Sequence, residues 1–449
     1  MKRRDRGVEL LLYTTHELHR PDARPSGTNA PSKDAHFYVA FARQQQDEAS
    51  FRASAARRCL PWSQEFPRLA ETDPARRKAL EIGCGPGRLM APMTEFFGEV
   101  HGVDISPEMI ELARTRLAHL PGARLHVVSG ADLAPLEDNT FDYVYSYTVF
   151  QHIPSRDAVM SYLREAHRVL KPGGILRCQI RGTKAPPSTL KNMTDTWTGC
   201  FFTAQEMIEF ARVERFPLVE ISGIGTQYMW TTFQKIPANA AQRDRLAAEL
   251  RGVTSADGGA TIPLRGPGAA VSLWIANFPG DGDLANFPVY FNGVAQMGCY
   301  LSPISDEGAC QLNVRLPEGL SPGSVKVQLS YAGRPFGAIY DIEVTPEPAT
   351  APKILKVSDA INLTMIDCVE SGGAKLWIEH LPQPESLVIL VDGRKLTSME
   401  YELRDPVTDT YEFSTIFPRK TKIGRSQITI QIAGKPFTQF DLEVVGTWD

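Results

Sequence analysis

Short apolar runs and helical periods alternate between residues 77 and 180. Ala79-Leu80-Glu81-Ile82 predicts a strand closed by glycines, 88–97 a helix stopped by Gly98, and 100–105 a second strand. Ser106-Pro107-Glu108 supplies an N-cap, a proline at the first helical position and a first-turn carboxylate, predicting a helix to about His119. Strands follow at 125–128 and 141–147, then apolar residues at 159, 163, 166 and 170 mark a helix ended by Pro172-Gly173-Gly174. A fifth strand is predicted at 175–180, a helix near 203–213, and strands at 218–224 and 227–234. Such alternation specifies a parallel sheet covered on both faces. Beyond Gly252 the helical period gives way to short alternating strands.

That strand-rich half repeats itself. Leu273-Trp274-Ile275 recurs as Leu376-Trp377-Ile378, Ala332-Gly333-Arg334-Pro335-Phe336 as Ala433-Gly434-Lys435-Pro436-Phe437, and Asp341-Ile342-Glu343-Val344 as Asp441-Leu442-Glu443-Val444. The offsets are 103, 101 and 100, so a unit of about 100 residues is duplicated, the size of an Ig-like β-sandwich. Trp274 and Trp377 are expected in the two sandwich cores. Pro346, Pro348 and Pro352 read as a stiff linker. The expected domains are an N-terminal arm and helical cap (1–75), an α/β domain (76–236), and sandwich repeats at 252–346 and 352–449.

The composition permits a packed core, with 43% hydrophobic and 22% charged residues in a chain of 449. Lys and Arg number 30 against 27 acidic residues up to Lys235, and 18 against 25 beyond it. Neither half carries the basic field of a nucleic-acid binder. No stretch approaches the ~18 apolar residues of a membrane span, and Leu10-Leu11-Leu12-Tyr13 is too short for a signal-peptide core. Seven cysteines with no C-x-x-C pair predict reduced thiols and a cytoplasmic protein, with Cys299 and Cys310 a hairpin pairing of lower weight. No metal site is expected, since His16 and His19 have helical spacing but no acidic or cysteine partner.

The chemistry concentrates in the α/β half. In Glu81-Ile82-Gly83-Cys84-Gly85-Pro86-Gly87 the glycines allow a sharp strand-to-helix turn and close backbone approach to a ligand. Asp104, 21 residues after Gly83, is placed to accept hydrogen bonds from a ribose. Arg88 stands where a dinucleotide fingerprint needs its third small residue, and no Walker ending follows.

The remaining pattern resembles the first motif of class I S-adenosylmethionine (SAM) methyltransferases. Val103-Asp104-Ile105-Ser106-Pro107-Glu108-Met109, Gly130-Ala131-Asp132-Leu133, Phe141-Asp142-Tyr143-Val144 and Leu170-Lys171-Pro172-Gly173-Gly174 resemble its later motifs, in order. The resemblance covers about 75–235 and is closest to the type-11 branch, whose members mostly modify small molecules. It implies a Rossmann-like sheet of seven strands with the last antiparallel, and SAM as cofactor. It places Glu81, Gly83, Cys84, Gly85 and Gly87 around the methionine end, Asp104, Ile105 and Met109 at the ribose, and Ala131, Asp132 and Leu133 at the adenine. Cys84 reads as an ordinary small residue. Ser146, Tyr147 and Gln151 fall where the family lines the transfer site. His152 reads either as a general base or as a residue that packs against the cofactor, and Tyr147 is a second catalytic candidate that contacts cofactor or substrate.

Residues 181–202 resemble the variable substrate cover. Tyr38, Trp197, Arg181 and Tyr228 are candidate substrate contacts, against readings of Trp197 and Tyr228 as core aromatics and of Arg177 and Arg181 as solvated charges. The expected activity is methyl transfer to an O, N or S nucleophile of a small molecule, without nucleic-acid or membrane partners. The alternatives are a non-catalytic binding protein acting through its repeats, or methylation of a glycan or peptide. The repeats are expected to self-associate into a homo-oligomer or to pack against the enzyme.

Overall fold

The computed structural model describes residues 55–56, 59–183 and 199–445, apart from 257, 260, 267, 347–350, 361–365, 371, 382, 398, 406–407 and 419–420. These fall into two compact units: up to Leu176 with 199–200, and 177–183 with Phe201 onward. The division falls inside a strand, Leu170–Ile180.

In the first unit β1 (Lys78–Ile82), β2 (Glu99–Asp104), β3 (Ala123–Val127), β4 (Phe141–Ser146) and the start of β5 (Leu170–Ile180) lie in the order β3-β2-β1-β4-β5. The pairs β1–β2, β1–β4 and β2–β3 are parallel. All six residues of β4 are buried, so its polar atoms need partners. Tyr143 Oη donates to Glu65 at 2.9 Å, Tyr145 Oη to Glu81 at 3.1 Å, and Ser146 Oγ to the Ile82 carbonyl at 3.0 Å. Asp142 accepts from the Lys78 amide at 2.8 Å and from Lys171 Nζ at 2.9 Å. A 3-10 helix, Leu60–Arg68, lays Trp62 against Tyr145 and Phe66 against Phe97 and Tyr143.

The expected helix at 88–97 shrinks to α1 (Met90–Met93). Pro92 has no N–H to give, and Thr94, Glu95 and Phe96 bond three residues back instead of four. The N-caps Ser106 and Ser155 open α2 (Pro107–Arg116) and α3 (Arg156–Val169). β5 starts at Leu170, directly after α3, five residues earlier than its pattern predicts.

In the second unit a capping box of Thr203 and Glu206 opens α4 (Ala204–Glu214), followed by the antiparallel pair β6 (Leu218–Ser222) and β7 (Met229–Gln234). A seven-stranded sheet would leave β6 with one neighbour. Here Glu220 of β6 also pairs with Tyr300 of the first repeat.

That repeat comprises β8 (Glu249–Ser255), β9 (Ile262–Pro263), β10 (Ala270–Ala276), β11 (Val289–Phe291), β12 (Val294–Gln296), β13 (Gly298–Leu301), β14 (Cys310–Arg315), β15 (Gly323–Tyr331) and β16 (Arg334–Thr345). The second comprises β17 (Lys353–Asp359), β18 (Cys368–Val369), β19 (Gly373–Glu379), β20 (Leu387–Val391), β21 (Arg394–Lys395), β22 (Met399–Asp405), β23 (Thr410–Ile416), β24 (Gly424–Ile432) and β25 (Lys435–Val444). Strand orders β8-β10-β14-β13 and β9-β16-β15-β11-β12 recur as β17-β19-β23-β22 and β18-β25-β24-β20-β21. In the second repeat one core draws Leu376, Ile378 and Phe413 from one sheet and Ile389, Ile430 and Leu442 from the other. The recurring Ala-Gly dipeptides are two-residue hairpin turns: Ala332 and Gly333 have φ of 49° and 74°, as do Ala433 and Gly434.

The tryptophans are not core residues. Alternation along β10 and β19 sends Leu273, Ile275, Leu376 and Ile378 inward, leaving Trp274 46% exposed and Trp377 half-buried on the outer face. All seven cysteines are free, including Cys299 and Cys310. Among the described residues no helix is long and apolar enough to cross a membrane.

Candidate functional site

The loop after β1 is folded by its glycines. Gly83, Gly85 and Gly87 have φ of 74°, 51° and 77°, a region costly for side chains. The Gly83 and Cys84 amides both donate to the Val103 carbonyl of β2, at 2.8 and 3.0 Å. A Cβ at Gly83 would stand 2.4 Å from Val149, so the loop also seats against the segment after β4.

Asp104 completes the turn from β2. Its carboxylate accepts from the Gly85 amide and from the Ser106 amide, each at 2.9 Å. Burial raises its pKa, while those backbone donors oppose the rise. Glu81, 3% exposed, is pushed up to about 8 by burial, against the opposing charge of Arg88 and the Tyr145 hydrogen bond. Burial and the charges of Glu81 and Asp104 drive the Cys84 thiol well above its ordinary range, leaving it inert.

The adenine-side candidates lie on the loop after β3. Ala131 donates to Ser129 Oγ at 3.2 Å, Asp132 accepts from the Ala134 amide at 3.2 Å, and the Leu133 amide donates to Glu165 of α3 at 3.0 Å. Ile105 is 46% exposed, and a Cβ at Gly130 would stand 3.2 Å from it, so the loops after β2 and β3 meet around an open apolar side chain. Met109 is half-buried in the first turn of α2, its amide on Ser106 Oγ. Sequence reasoning missed Tyr162 of α3. Burial raises its pKa, and the charges of Asp104 and Asp132 raise it further. Its signal in the sequence is only a core position on a helix.

After β4, Ser146 is buried and Tyr147 half-buried, and Thr148 adopts φ of 58°. Gln151 is fully buried, and its Nε2 lies 3.2 Å from Nε2 of the half-buried His152. Whichever way the amide is turned, one of its atoms meets His152 and the other is buried without a partner. The Gly199 amide donates to the Gln151 carbonyl at 3.0 Å and the Cys200 amide to the Ile153 carbonyl at 3.1 Å, so the end of the expected cover rests on this loop.

The other substrate candidates lie elsewhere. Tyr38 and Trp197 are outside the described residues, as are His16 and His19. Arg181 and Tyr228 belong to the second unit, where the Arg404 guanidinium lies 4.5 Å from the Tyr228 ring centre. The solvated reading of the arginines fails: Arg181 is 6% exposed, and Arg177 pairs with Glu220 at 3.2 Å and lies 4.9 Å from the Trp230 ring centre. A cavity of about 280 Å³ opens beside Asp142, Lys171 and Pro172, at the amino ends of β4 and β5 and away from the glycine loop. Among the described residues no group of three or more His, Cys, Asp or Glu side chains is arranged to hold a metal.

Residues 80–178 match the family model described as "Methyltransferase domain". The chain is 37% identical over 97 residues to a sterol 4-C-methyltransferase of Caenorhabditis elegans, covering 21% of this chain and 28% of the relative. It is 36% identical over 104 residues to a demethylmenaquinone methyltransferase of Staphylococcus epidermidis, covering 22% and 42%. It thus spans less than half the length of these relatives. Geranyl diphosphate C-methyltransferase from Streptomyces coelicolor A3(2), solved with Mg2+, geranyl diphosphate and S-adenosyl-L-homocysteine, is 16% identical at a TM-score of 0.32, covering 39% of this chain and 77% of that one. Residues 80–178 therefore match a methyltransferase domain, a family whose cofactor is S-adenosylmethionine.

The side chains present fit that cofactor. A carboxylate offers roughly four acceptor positions, and the two backbone donors on Asp104 leave room for a ribose diol. Ile105 offers an exposed apolar surface to a base.

Proposed function

We propose that the protein transfers the SAM methyl group to a small-molecule acceptor. The observation that carries this reading is Asp104 at the end of β2, bonded at 2.9 Å to Gly85 of the positive-φ glycine loop. Two separate motifs are thereby joined by one hydrogen bond. In this reading Glu81, Gly83, Cys84, Gly85 and Gly87 surround the methionine end. Asp104, Ile105 and Met109 hold the ribose, and Ala131, Asp132 and Leu133 the adenine. Ser146, Tyr147 and Gln151 line the transfer site.

Bound SAM supplies an activated, electrophilic methyl group. What remains for this chain is to orient the acceptor nucleophile and exclude water, and such positioning corresponds to effective molarities of roughly 10⁵–10⁸ M. Where the acceptor is a hydroxyl, His152 takes its proton on Nδ1, with Gln151 orienting the ring through Nε2, for a gain of about 10²–10⁴-fold. The names of the relatives extend the acceptor atoms from O, N and S to carbon.

The C-terminal repeats we read as Ig-like sandwiches. The pairing of β13 with β6 favours intramolecular packing over self-association as their role. The test is S-adenosylhomocysteine release by the full-length protein across pools of phenols, amines, thiols and activated carbon acids. Turnover of one pool with loss in His152→Ala supports both transfer and the base. SAM binding without release in any pool would instead favour the binding-protein reading.

A further inference from the structure

The outer face of the sheet β8-β10-β14-β13 in the first repeat sets a flat aromatic beside neutral polar groups. Trp274 is 46% exposed, and its indole Nε1 donates to Thr254 Oγ1 of β8 at 3.2 Å, so the ring is oriented without being packed away. Its partner on β8 is Gly252, where even a Cβ would meet nothing within 4 Å. Among the described residues no aromatic ring or cation stacks on Trp274.

Across β14, Trp274 stands opposite Gln311 and Ser272 opposite Asn313. Ser272 Oγ donates to Asn313 Oδ1 at 2.9 Å, and Gln311 Nε2 donates to Ser272 Oγ at 2.9 Å and to Asn313 Oδ1 at 2.7 Å. These bonds fix both amides but use one atom of each. The Gln311 carbonyl oxygen and the Asn313 amino group bond to nothing among the described residues, and neither is buried. Turning both amides over would still leave one oxygen and one nitrogen open. A donor and an acceptor therefore stand side by side next to the indole.

The second repeat closes the same positions. Trp377 stands opposite Glu412 and is half-buried, with the Lys356 ammonium 4.9 Å from its ring centre. Lys375, in the place of Ser272, lies 2.8 Å from Glu412, and Arg404 lies 2.9 Å from it. The duplicated scaffold thus does not require an open tryptophan or a neutral network. One copy satisfies these positions with its own ion pairs, and the other leaves them open.

We propose that the first repeat binds a neutral carbohydrate on this face, with Trp274 as the platform and Gln311 and Asn313 as the hydrogen-bonding pair. A pyranose presents a face of C–H groups, which an exposed indole removes from water, and a rim of hydroxyls that each donate and accept. The open carbonyl and amino group match two neighbouring hydroxyls, and their fixed geometry lowers the ordering cost of binding. No charged residue stands among Thr254, Ser272, Trp274, Gln311 and Asn313, so these positions offer no counter-ion to a phosphate, a uronate or an acidic peptide. A second copy of this chain would need a contiguous apolar patch, whereas the neighbours of Trp274 are Gly252, Thr254 and Gln311. The site is independent of methyl transfer, so its failure would leave the transferase reading intact.

The test is calorimetric titration of the full-length protein with neutral hexasaccharides: cellohexaose, maltohexaose, mannohexaose and xylohexaose. At least one should bind the wild type, and Trp274→Ala should weaken that binding roughly tenfold or more. Gln311→Leu removes the open carbonyl and leaves the Ser272–Asn313 bond in place. It should weaken binding roughly fivefold, even where Trp274→Ala folds poorly. Folded Trp377→Ala, altered in the second repeat, should bind within about twofold of wild type. Binding of none of the hexasaccharides, equal binding by wild type and both first-repeat variants, or an equal loss in Trp377→Ala would overturn the proposal. A smaller mass for Trp274→Ala by light scattering, without sugar binding to the wild type, would overturn it in favour of contact between copies.

Discussion

Glu81, at the end of β1, and Glu412, within β23, are 3% and 6% exposed, yet their surroundings drive them in opposite directions. Burial pushes Glu81 up to about 8, with Arg88 opposing only in part and Asp104 adding like charge. Burial also pushes Glu412 upward, but Arg404 and Lys375 outweigh it and hold the carboxyl at about 2. Where this chain uses a buried carboxylate to hold itself together, it supplies two cations. Where it leaves one beside Asp104 and a tyrosine hydroxyl, with Arg88 opposing burial only in part, the acid keeps its proton to about pH 8.

Removing a cation from the completed cluster should have the largest effect. Arg404→Ala leaves Glu412 with Lys375 alone, and breaking a buried pair typically costs about 3–5 kcal/mol. Urea denaturation should show that loss, and a loss below about 1 kcal/mol would mean Glu412 is already satisfied by Lys375. The two glutamates should next differ in the sign of their pH dependence. Between the ordinary 4.5 and about 8 the folded state keeps the Glu81 proton that the unfolded chain releases, so Glu81's contribution falls as pH rises through that window. The slope is at most roughly 1.4 kcal/mol per pH unit, and Glu81→Gln should flatten it in thermal melts. Glu412 contributes stability above 4.5 that disappears as pH falls toward 2. A common sign would break the contrast.

A smaller effect should follow from Tyr145→Phe. The hydroxyl donates to Glu81 and helps hold its pKa down, so the variant should lose about 1 kcal/mol and shift the Glu81 titration upward. A downward shift would mean that the tyrosine stabilises the protonated acid. In the same direction, SAM affinity should rise with pH between about 6 and 9 as Glu81 ionises, and Glu81→Gln should make it nearly flat.

The difference between the two regions also marks what the sequence could reveal. The glycine loop and Asp104 were legible because they are local: backbone conformation and a fixed strand-to-strand spacing constrain residue types within a short span. The Ala-Gly hairpins were legible as a repeat for the same reason. Contacts across long separations were not. Nothing near Glu65 announces Tyr143, 78 residues away, and nothing near Arg404 announces Gln227, 177 residues away. Trp274 and Trp377 misled because size suggested burial, whereas strand alternation set their direction. Arg181 misled because a lone arginine after a strand carries no sign of the burial it meets in the fold. Pro92 was visible, but the pattern of apolar residues around it concealed how short the helix would be.

The most direct test of the account is a calorimetric titration of SAM into the full-length wild-type protein and into Asp104→Ala at neutral pH. Asp104 joins the loops after β1 and β2, and a hydrogen bond to a charged acceptor is typically worth about 1.5–3 kcal/mol. The account predicts binding to the wild type and affinity weaker by roughly tenfold or more in the variant. Equal affinity in the two proteins, or no binding to the wild type, would contradict it.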